Sequence, residues 1–277
     1  MLTLFSIPKA FEGQLGVIQR NAVRSWTALR PGVQVVLVGD EPGVAETASE
    51  LGAGHIPGVK LSDRGTPRID DAFARVDEIA EHHLRCFVNA DVLLLDDLLP
   101  AVEAVRTVFG RFLIVGETRD LDVRDELCLE REERAELRRR ALDEGRSRGP
   151  TAIDYFVFTA RLFDPLPPFV VGRARFDNWL VWRARERGAV VDATRAVVGV
   201  HQRHDYAHVP GGFEEAHFGG ESRRNEELAG GSGRIYTIFD ASHRLQPGGS
   251  VRWHIGSTFR VRERARKAAW KLAQRGR

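Results

Sequence analysis

Phe87-Val88-Asn89-Ala90-Asp91-Val92-Leu93-Leu94-Leu95 sets one carboxylate inside an otherwise apolar run. An ionised carboxylate there is costly unless a cation or a set of hydrogen bonds meets it, so Asp91 is the first candidate for chemistry. A second polar cluster, His201-Gln202-Arg203-His204-Asp205-Tyr206, follows the apolar run Ala196-Val197-Val198-Gly199-Val200. Metal-type side chains at the ends of two buried strands point to one shared site.

On the N-terminal side of Asp91 the apolar spacing switches repeatedly between strand and helix periods. Residues 2–5 read as a short buried strand. Leu15, Ile18, Ala22, Trp26 and Leu29 then share one helical face. Residues 33–38 form a second strand, closed by the turn residues Gly39-Asp40-Glu41-Pro42-Gly43. A short helix through Val44, Ala45, Ala48 and Leu51 ends at Gly52, and Thr66-Pro67 opens another that carries Ile69, Phe73, Val76 and Ile79. The strand ending at Asn89-Ala90-Asp91 follows. This rhythm predicts an α/β fold with a mostly parallel central sheet and helices on both faces, because parallel neighbours need a crossover. Ligands bind such sheets outside the carboxyl ends of the strands, which puts Asp40 and Asp91 on one rim. Taken alone, Asp40 reads as a turn residue.

Beyond Asp91, a strand over 111–115 leads into the polar cluster Gly116-Glu117-Thr118-Arg119-Asp120-Leu121-Asp122. Residues 124–148 are dense in Glu and Arg and read as a solvated helix laced with ion pairs, then a loop; a lid is the sharper alternative. Residues 153–158 return as a strand, Asp177-Asn178-Trp179 opens a helix, and Val190-Val191 with residues 197–200 complete the sheet. After Tyr206 the glycine pairs 211–212, 219–220 and 230–231 punctuate an appended, irregular layer. The expected organisation is one catalytic domain over 1–206 and a C-terminal extension over 207–277. Its last stretch, 259–274, is a basic helix with a weak apolar face. It reads as an ordinary exposed helix, with peripheral contact to an anionic membrane as the alternative.

The chain has 277 residues, 43% hydrophobic and 29% charged, enough for one sizeable core. A formal net charge of +2 implies no general attraction to nucleic acid. The basic excess is local, with Arg262, Arg264, Arg266, Lys267, Lys271 and Arg275 set against Glu263. Only Cys86 and Cys128 occur, too few for a disulfide framework or a cysteine zinc site, so a cytoplasmic, reducing location is expected. The opening residues lack the pattern of a signal peptide, and no segment is long and apolar enough to cross a bilayer.

Six motifs, taken in order, resemble a glycosyltransferase-like family with the GT-A, nucleotide-diphospho-sugar transferase fold. They are Ile7-Pro8-Lys9; Ile18-Gln19-Arg20-Asn21-Ala22 with Ser25-Trp26; Phe87-Val88-Asn89-Ala90-Asp91; Asp154-Tyr155-Phe156-Val157-Phe158; Gly172-Arg173 with Asp177-Asn178-Trp179; and His201-Gln202-Arg203-His204-Asp205-Tyr206. As a set they are specific, and they cover roughly the first three quarters of the chain.

The resemblance implies transfer of a sugar from a nucleotide-diphosphate sugar donor to an acceptor hydroxyl, helped by a divalent cation. GT-A enzymes commonly hold that cation with an Asp-x-Asp element. Here the element is Asn89-Ala90-Asp91, so Asp91 is the implied metal ligand and Asn89 a contact to a ribose hydroxyl or a metal-bound water. His201 is the implied second ligand, which tilts the choice from Mg²⁺ towards Mn²⁺. His204 and Asp205 are implied supports behind it; as residues alone, the two histidines equally read as structural. Asp177 is implied as the general base, a role compatible with its competing reading as a helix cap. Asp40, Arg119 and Arg173 are implied donor contacts, although each arginine alone reads as a surface ion pair. Trp179 and Tyr206 are candidates to stack on a sugar or base, with core packing as the alternative for an aromatic at a helix start. Three rival classes stay open: a nucleotidyltransferase of the same fold, a non-catalytic sugar-nucleotide or glycan-binding module, and a histidine-centred hydrolase. The last is disfavoured because His201-x-x-His204 follows a strand rather than lying on a helix.

Overall fold

A computed structural model describes residues 1–29, 31–204 and 212–254. β1 (Leu2–Ser6), α1 (Gly13–Thr27), β2 (Val33–Val38), α2 (Val44–Glu50) and β3 (Gly54–Ile56) build the first half of the sheet outward to one edge. The chain then crosses back through α3 (Ile69–Ile79) and lays β4 (Leu84–Val88) on the other side of β1. β1 is therefore parallel to both β2 and β4, with Leu4 opposite Val35 and Cys86. The reversal of direction at β1 opens a crevice at the carboxyl ends of β1 and β4, the place where open α/β sheets bind ligands.

After β4 come β5 (Val92–Leu93), α4 (Leu98–Arg106), β6 (Phe112–Val115), β7 (Thr118–Leu121), α5 (Arg131–Asp143), β8 (Arg146–Ser147) and β9 (Tyr155–Thr159). α6 (Phe176–Arg187), β10 (Ala189–Asp192), β11 (Gly199–Gln202), α7 (Gly212–Phe218), α8 (Gly220–Ala229), β12 (His243–Leu245) and β13 (Val251–Trp253) follow. The main sheet has nine strands in the order β13-β12-β10-β6-β9-β4-β1-β2-β3. β9 runs antiparallel between β4 and β6, and β13 runs antiparallel to β12; the other pairs are parallel. The mostly parallel α/β sheet expected from the sequence is thus present.

Strand alternation divides the core between the two faces. Leu2, Leu4, Cys86, Val88, Tyr155 and Val157 pack with Trp26 of α1, Ala48 of α2 and Val102 of α4. Phe5, Phe87, Phe156 and Phe158 pack on the opposite side with Phe73 of α3 and Leu180 of α6. Phe73 meets Phe5 edge-on at 4.9 Å between ring centroids and stacks on Phe158 at 5.5 Å, favoured geometries for aromatic pairs.

A second, four-stranded sheet in the order β5-β11-β7-β8 was not foreseen. The run 197–200, expected to complete the main sheet, instead leads into β11 of this small sheet, because β11 pairs antiparallel with β5 and parallel with β7. Leu93, Leu121 and Val200 bury themselves against Leu137 and Ala141 of α5. The opposite face of α5 is the solvated one expected, with Arg139 paired to Glu136 and Asp143.

Thr66-Pro67 does not start α3, whose first residue is Ile69. The Thr66 hydroxyl donates instead to Glu221 Oε2 at 2.8 Å, and Pro67 bridges to Leu61. The segment after residue 206, expected as an extension, adds β12 and β13 to the main sheet. Asp205, Tyr206 and the basic stretch 259–274 lie outside the described residues. Among the described residues no helix is long and apolar enough to cross a membrane.

Candidate active site

A cavity of about 480 Å³ opens at the β1/β4 crevice. It is lined by Ser6 at the end of β1, Ile7 and Lys9 beyond it, and residues 87–91 at the end of β4. Residues 171–178, at the start of α6, form one wall, and His201, His204 and His217 stand on others.

Asp91 sits in the short link between β4 and β5, and α1 fixes that link from behind. The Trp26 indole donates to the Val92 carbonyl at 3.0 Å, and the Leu94 amide donates to the Ser25 hydroxyl at 3.2 Å. Gln202 fastens the other side. Its backbone amide donates to the Asp91 carbonyl at 3.1 Å, and its side-chain amide reaches the same oxygen at 3.2 Å and the Ile18 carbonyl at 2.8 Å. Asn21 completes the set by donating to Gln202 Oε1 at 3.1 Å. Ser25, Trp26, Asn21 and Gln202 are fully buried, so these hydrogen bonds both satisfy their polar atoms and define one geometry.

β11 carries His201 to the same point. In the small sheet His201 is in register with Val92 on one side and Asp120 on the other. Cross-strand neighbours share a face, and His201 Nδ1 lies 2.8 Å from Asp120 Oδ1. The ring's other nitrogen then faces Asp91, with Nε2 3.5 Å from Oδ2. His204 Nε2 approaches the same Oδ2 at 3.0 Å. One carboxylate oxygen and two imidazole nitrogens therefore lie within 4.8 Å of one another. Asp91 Oδ1 is buried with no hydrogen-bond partner among the described residues, a polar atom whose burial calls for a ligand.

Burial opposes ionisation of Asp91, but the His201 and His204 imidazoles outweigh it and hold the carboxyl well below the usual carboxylate range. Burial likewise works against a charged His201, and the Asp91 and Asp120 carboxylates overcome it, raising its pKa to about 9. The donor set, one hard oxygen and two imidazoles, suits a divalent transition metal such as Mn²⁺ better than Mg²⁺.

Asp177 lines the cavity from the first turn of α6. The residue flanking that helix is Arg175, in a left-handed conformation (φ 91°), so Asp177 is not the cap. Burial raises its pKa to about 6, with the backbone amides of the helix start opposing the shift. Its Oδ1 has no partner among the described residues.

No family model matches the chain, and no curated protein matches it in sequence. Among solved structures, the glucosyl-3-phosphoglycerate synthase of Mycobacterium tuberculosis, in complex with Mg²⁺ and UDP, superposes with a TM-score of 0.50 at 16% identity. The match covers 83% of this chain and 80% of that one. S. aureus TarS gives a TM-score of 0.48 at 10% identity, over 73% of this chain and 36% of its own. The chain has the GT-A fold.

Within this GT-A frame the expected site residues separate into two groups. Asn89, Asp91, Arg173, Asp177, His201 and His204 all line the cavity. Asp40 does not: it is exposed, and its Oδ2 accepts the Gly58 amide at 2.6 Å as a turn residue would. Arg119 does not either, for it projects from the other face of β7 and donates to the Gly145 carbonyl at 3.1 Å. His204, expected behind His201, stands directly against Asp91, and Asp120 occupies the supporting position. Asn89 directs its amide to Asp154 Oδ1 at 3.1 Å. Trp179 packs against Phe169 and Trp182 in the core.

Lys9, Arg148 and Asp154 also line the cavity, although the sequence assigned none of them a role there. Asp154 accepts from Asn89 and from the Thr118 hydroxyl and lies 3.5 Å from Arg148, which also approaches Asp120 at 3.7 Å. Arg173 is held by Glu221 of α8 at 3.1 Å, and Glu221 accepts the Ser62 and Thr66 hydroxyls. Lys9 lies close enough to Arg173 that burial and the neighbouring guanidinium both lower its pKa. The strand alternation of Thr118-Arg119-Asp120 was the one signal that could have found Asp120.

Proposed function

We propose that this GT-A chain is a glycosyltransferase that moves a sugar from a nucleoside-diphosphate sugar to an acceptor hydroxyl, with a divalent cation held by Asp91, His201 and His204. The observation that carries the reading is the convergence of these three side chains, one of them with an unpartnered buried oxygen, at the rim where the sheet changes direction. The capture of the M. tuberculosis synthase with Mg²⁺ and UDP supports it.

When bound, such a cation would neutralise charge building on the departing diphosphate. The chain's own residues supply the rest. Asp120 accepts the Nδ1 proton of His201, which leaves Nε2 as the nitrogen turned to the site, where a cation would take the place of its proton. Lys9 and Arg173 place two cationic side chains on the cavity wall, suited to the diphosphate oxygens. Asp177, as the carboxylate, takes the proton of the acceptor hydroxyl while that oxygen attacks the anomeric carbon. The carbon–oxygen bond to the diphosphate breaks, and its electron pair leaves with the nucleotide. Cys86 and Cys128, both unpaired, fit a reducing, cytoplasmic setting.

The test is a thermal-shift screen of nucleoside diphosphates and sugar nucleotides with and without Mn²⁺, followed by product analysis. A ligand that stabilises only together with the cation, and whose sugar appears on an acceptor, is the expected result. Turnover of nucleoside triphosphates instead, with pyrophosphate released, would move the reading to a nucleotidyltransferase, and binding without any product would leave a binding module.

A further inference from the structure

We propose that a second cleft, behind β7 from the catalytic cavity, is a binding site for a phosphate group. β7 turns alternate residues to opposite faces. Thr118 and Asp120 face the catalytic side, bonded to Asp154 and His201, and Arg119 between them faces a separate cleft of about 360 Å³. Arg138 of α5 and Arg195 of the β10–β11 link border the same cleft, so three arginines line it from three different elements.

Their hydrogen-bonding capacity is mostly unspent. Arg119 donates to the Gly145 carbonyl, Arg138 Nε donates to Asp97 Oδ2 at 3.1 Å in an ion pair, and Arg195 has no hydrogen bond or ion pair among the described residues. One carboxylate, Glu117, borders the cleft, and it is engaged by the Ser147 hydroxyl at 2.5 Å. Thr194 accepts the Glu117 amide at 3.0 Å, which leaves its own hydroxyl proton to give. The cleft thus offers guanidinium forks and a hydroxyl donor, in net positive surroundings and with no cluster of metal-type ligands. Planar forks match tetrahedral oxyanions, and phosphate above all. Because this site shares no lining residue with the catalytic cavity, it stands whether or not the transferase reading does.

Isothermal titration of the full chain with pyrophosphate, in the presence of a chelator, tests it. Saturable binding is expected, with a component weakened about tenfold or more by Arg195→Ala and by Arg119→Gln and retained in Arg173→Gln, which removes the diphosphate contact of the catalytic cavity. Arg195 is exposed, so its variant reads binding without touching the fold. Parallel titrations with orthophosphate and a nucleoside monophosphate show whether the phosphate comes free or on a larger ligand. Binding that survives Arg195→Ala and Arg119→Gln but fails in Arg173→Gln would put the anion in the catalytic cavity and overturn the proposal. Equal weakening by all variants, or no saturation at about 10 mM, would overturn it too.

Discussion

His204 Nε2 stands 3.0 Å from Asp91 Oδ2, closer than His201 Nε2 at 3.5 Å. The two imidazoles therefore address one carboxylate oxygen from two directions, and under the proposed function the second histidine is a ligand rather than a support. His204→Ala should lower Mn²⁺ affinity at least as much as His201→Ala, by about tenfold or more. Asp91→Asn should abolish cation-dependent turnover in a chain that still folds. Mn²⁺ titration calorimetry reads the affinities, and a sugar-transfer assay with circular dichroism reads turnover and fold; unchanged affinity in His204→Ala would return that residue to a structural role.

Asp120 is predicted to act on the cation only through His201. It accepts from Nδ1 at 2.8 Å and thereby fixes both tautomer and ring orientation. Asp120→Ala should weaken Mn²⁺ binding about 10- to 100-fold. Asp122→Ala, two residues on with its carboxylate paired to exposed Arg124, should change nothing. A loss shared by both variants would mean that the charge of the segment matters, not the contact.

These two histidine environments show where sequence reading succeeds and where it stops. Asp91 and His201 stood out in the sequence because one interrupts an apolar run and the other directly follows one, and a polar group so placed needs a physical reason to be there. The main sheet was legible because its strands and helices are long enough to show their periods. Asp120 and Gln202 were not, because their roles arise from the register of β11 between β5 and β7, a pairing of strands far apart in the chain. β5 has two residues and β11 four, too short for a periodicity. Arg119, expected at the site, lies outside the cavity and Arg148, given no role, lines it for a related reason. Which face a strand residue takes depends on pleat register, and one step along β7 separates the catalytic cavity from the cleft behind it.

Gly116 is predicted to be intolerant of a side chain for a reason that can be removed elsewhere. A Cβ there would collide with the Tyr155 hydroxyl and crowd Tyr155 Cζ at 3.2 Å and the Thr194 amide nitrogen at 3.1 Å. That hydroxyl is buried with no hydrogen-bond partner among the described residues. Gly116→Ala should cost about 1–3 kcal/mol by overpacking. Tyr155→Phe should be close to neutral, since it deletes an unpaired polar atom. The double variant should recover part of the loss, a coupling that chemical denaturation measures and that strict additivity would refute.

Asp177 is the base of the proposed transfer, and its pKa of about 6 makes two separable predictions. As a base it must be ionised, so the transfer rate should rise as pH increases through about 6 and then level off. Asp177→Asn should lose that limb and about 10²- to 10⁴-fold in rate. The stability effect has the opposite sense. The unfolded carboxyl titrates near 3.8, so between that pH and about 6 the folded chain holds a proton that the unfolded chain has released. Stability contributed by this group therefore falls as pH rises through the window. Asp177→Asn should be more stable than the parent above pH 6, by at most about 3 kcal/mol, and should show no such gain below about pH 4. Denaturation curves at several pH values, set beside the pH–rate profile, separate the two roles. A buried acid without a catalytic task would give the stability change and leave the rate profile of the variant unaltered.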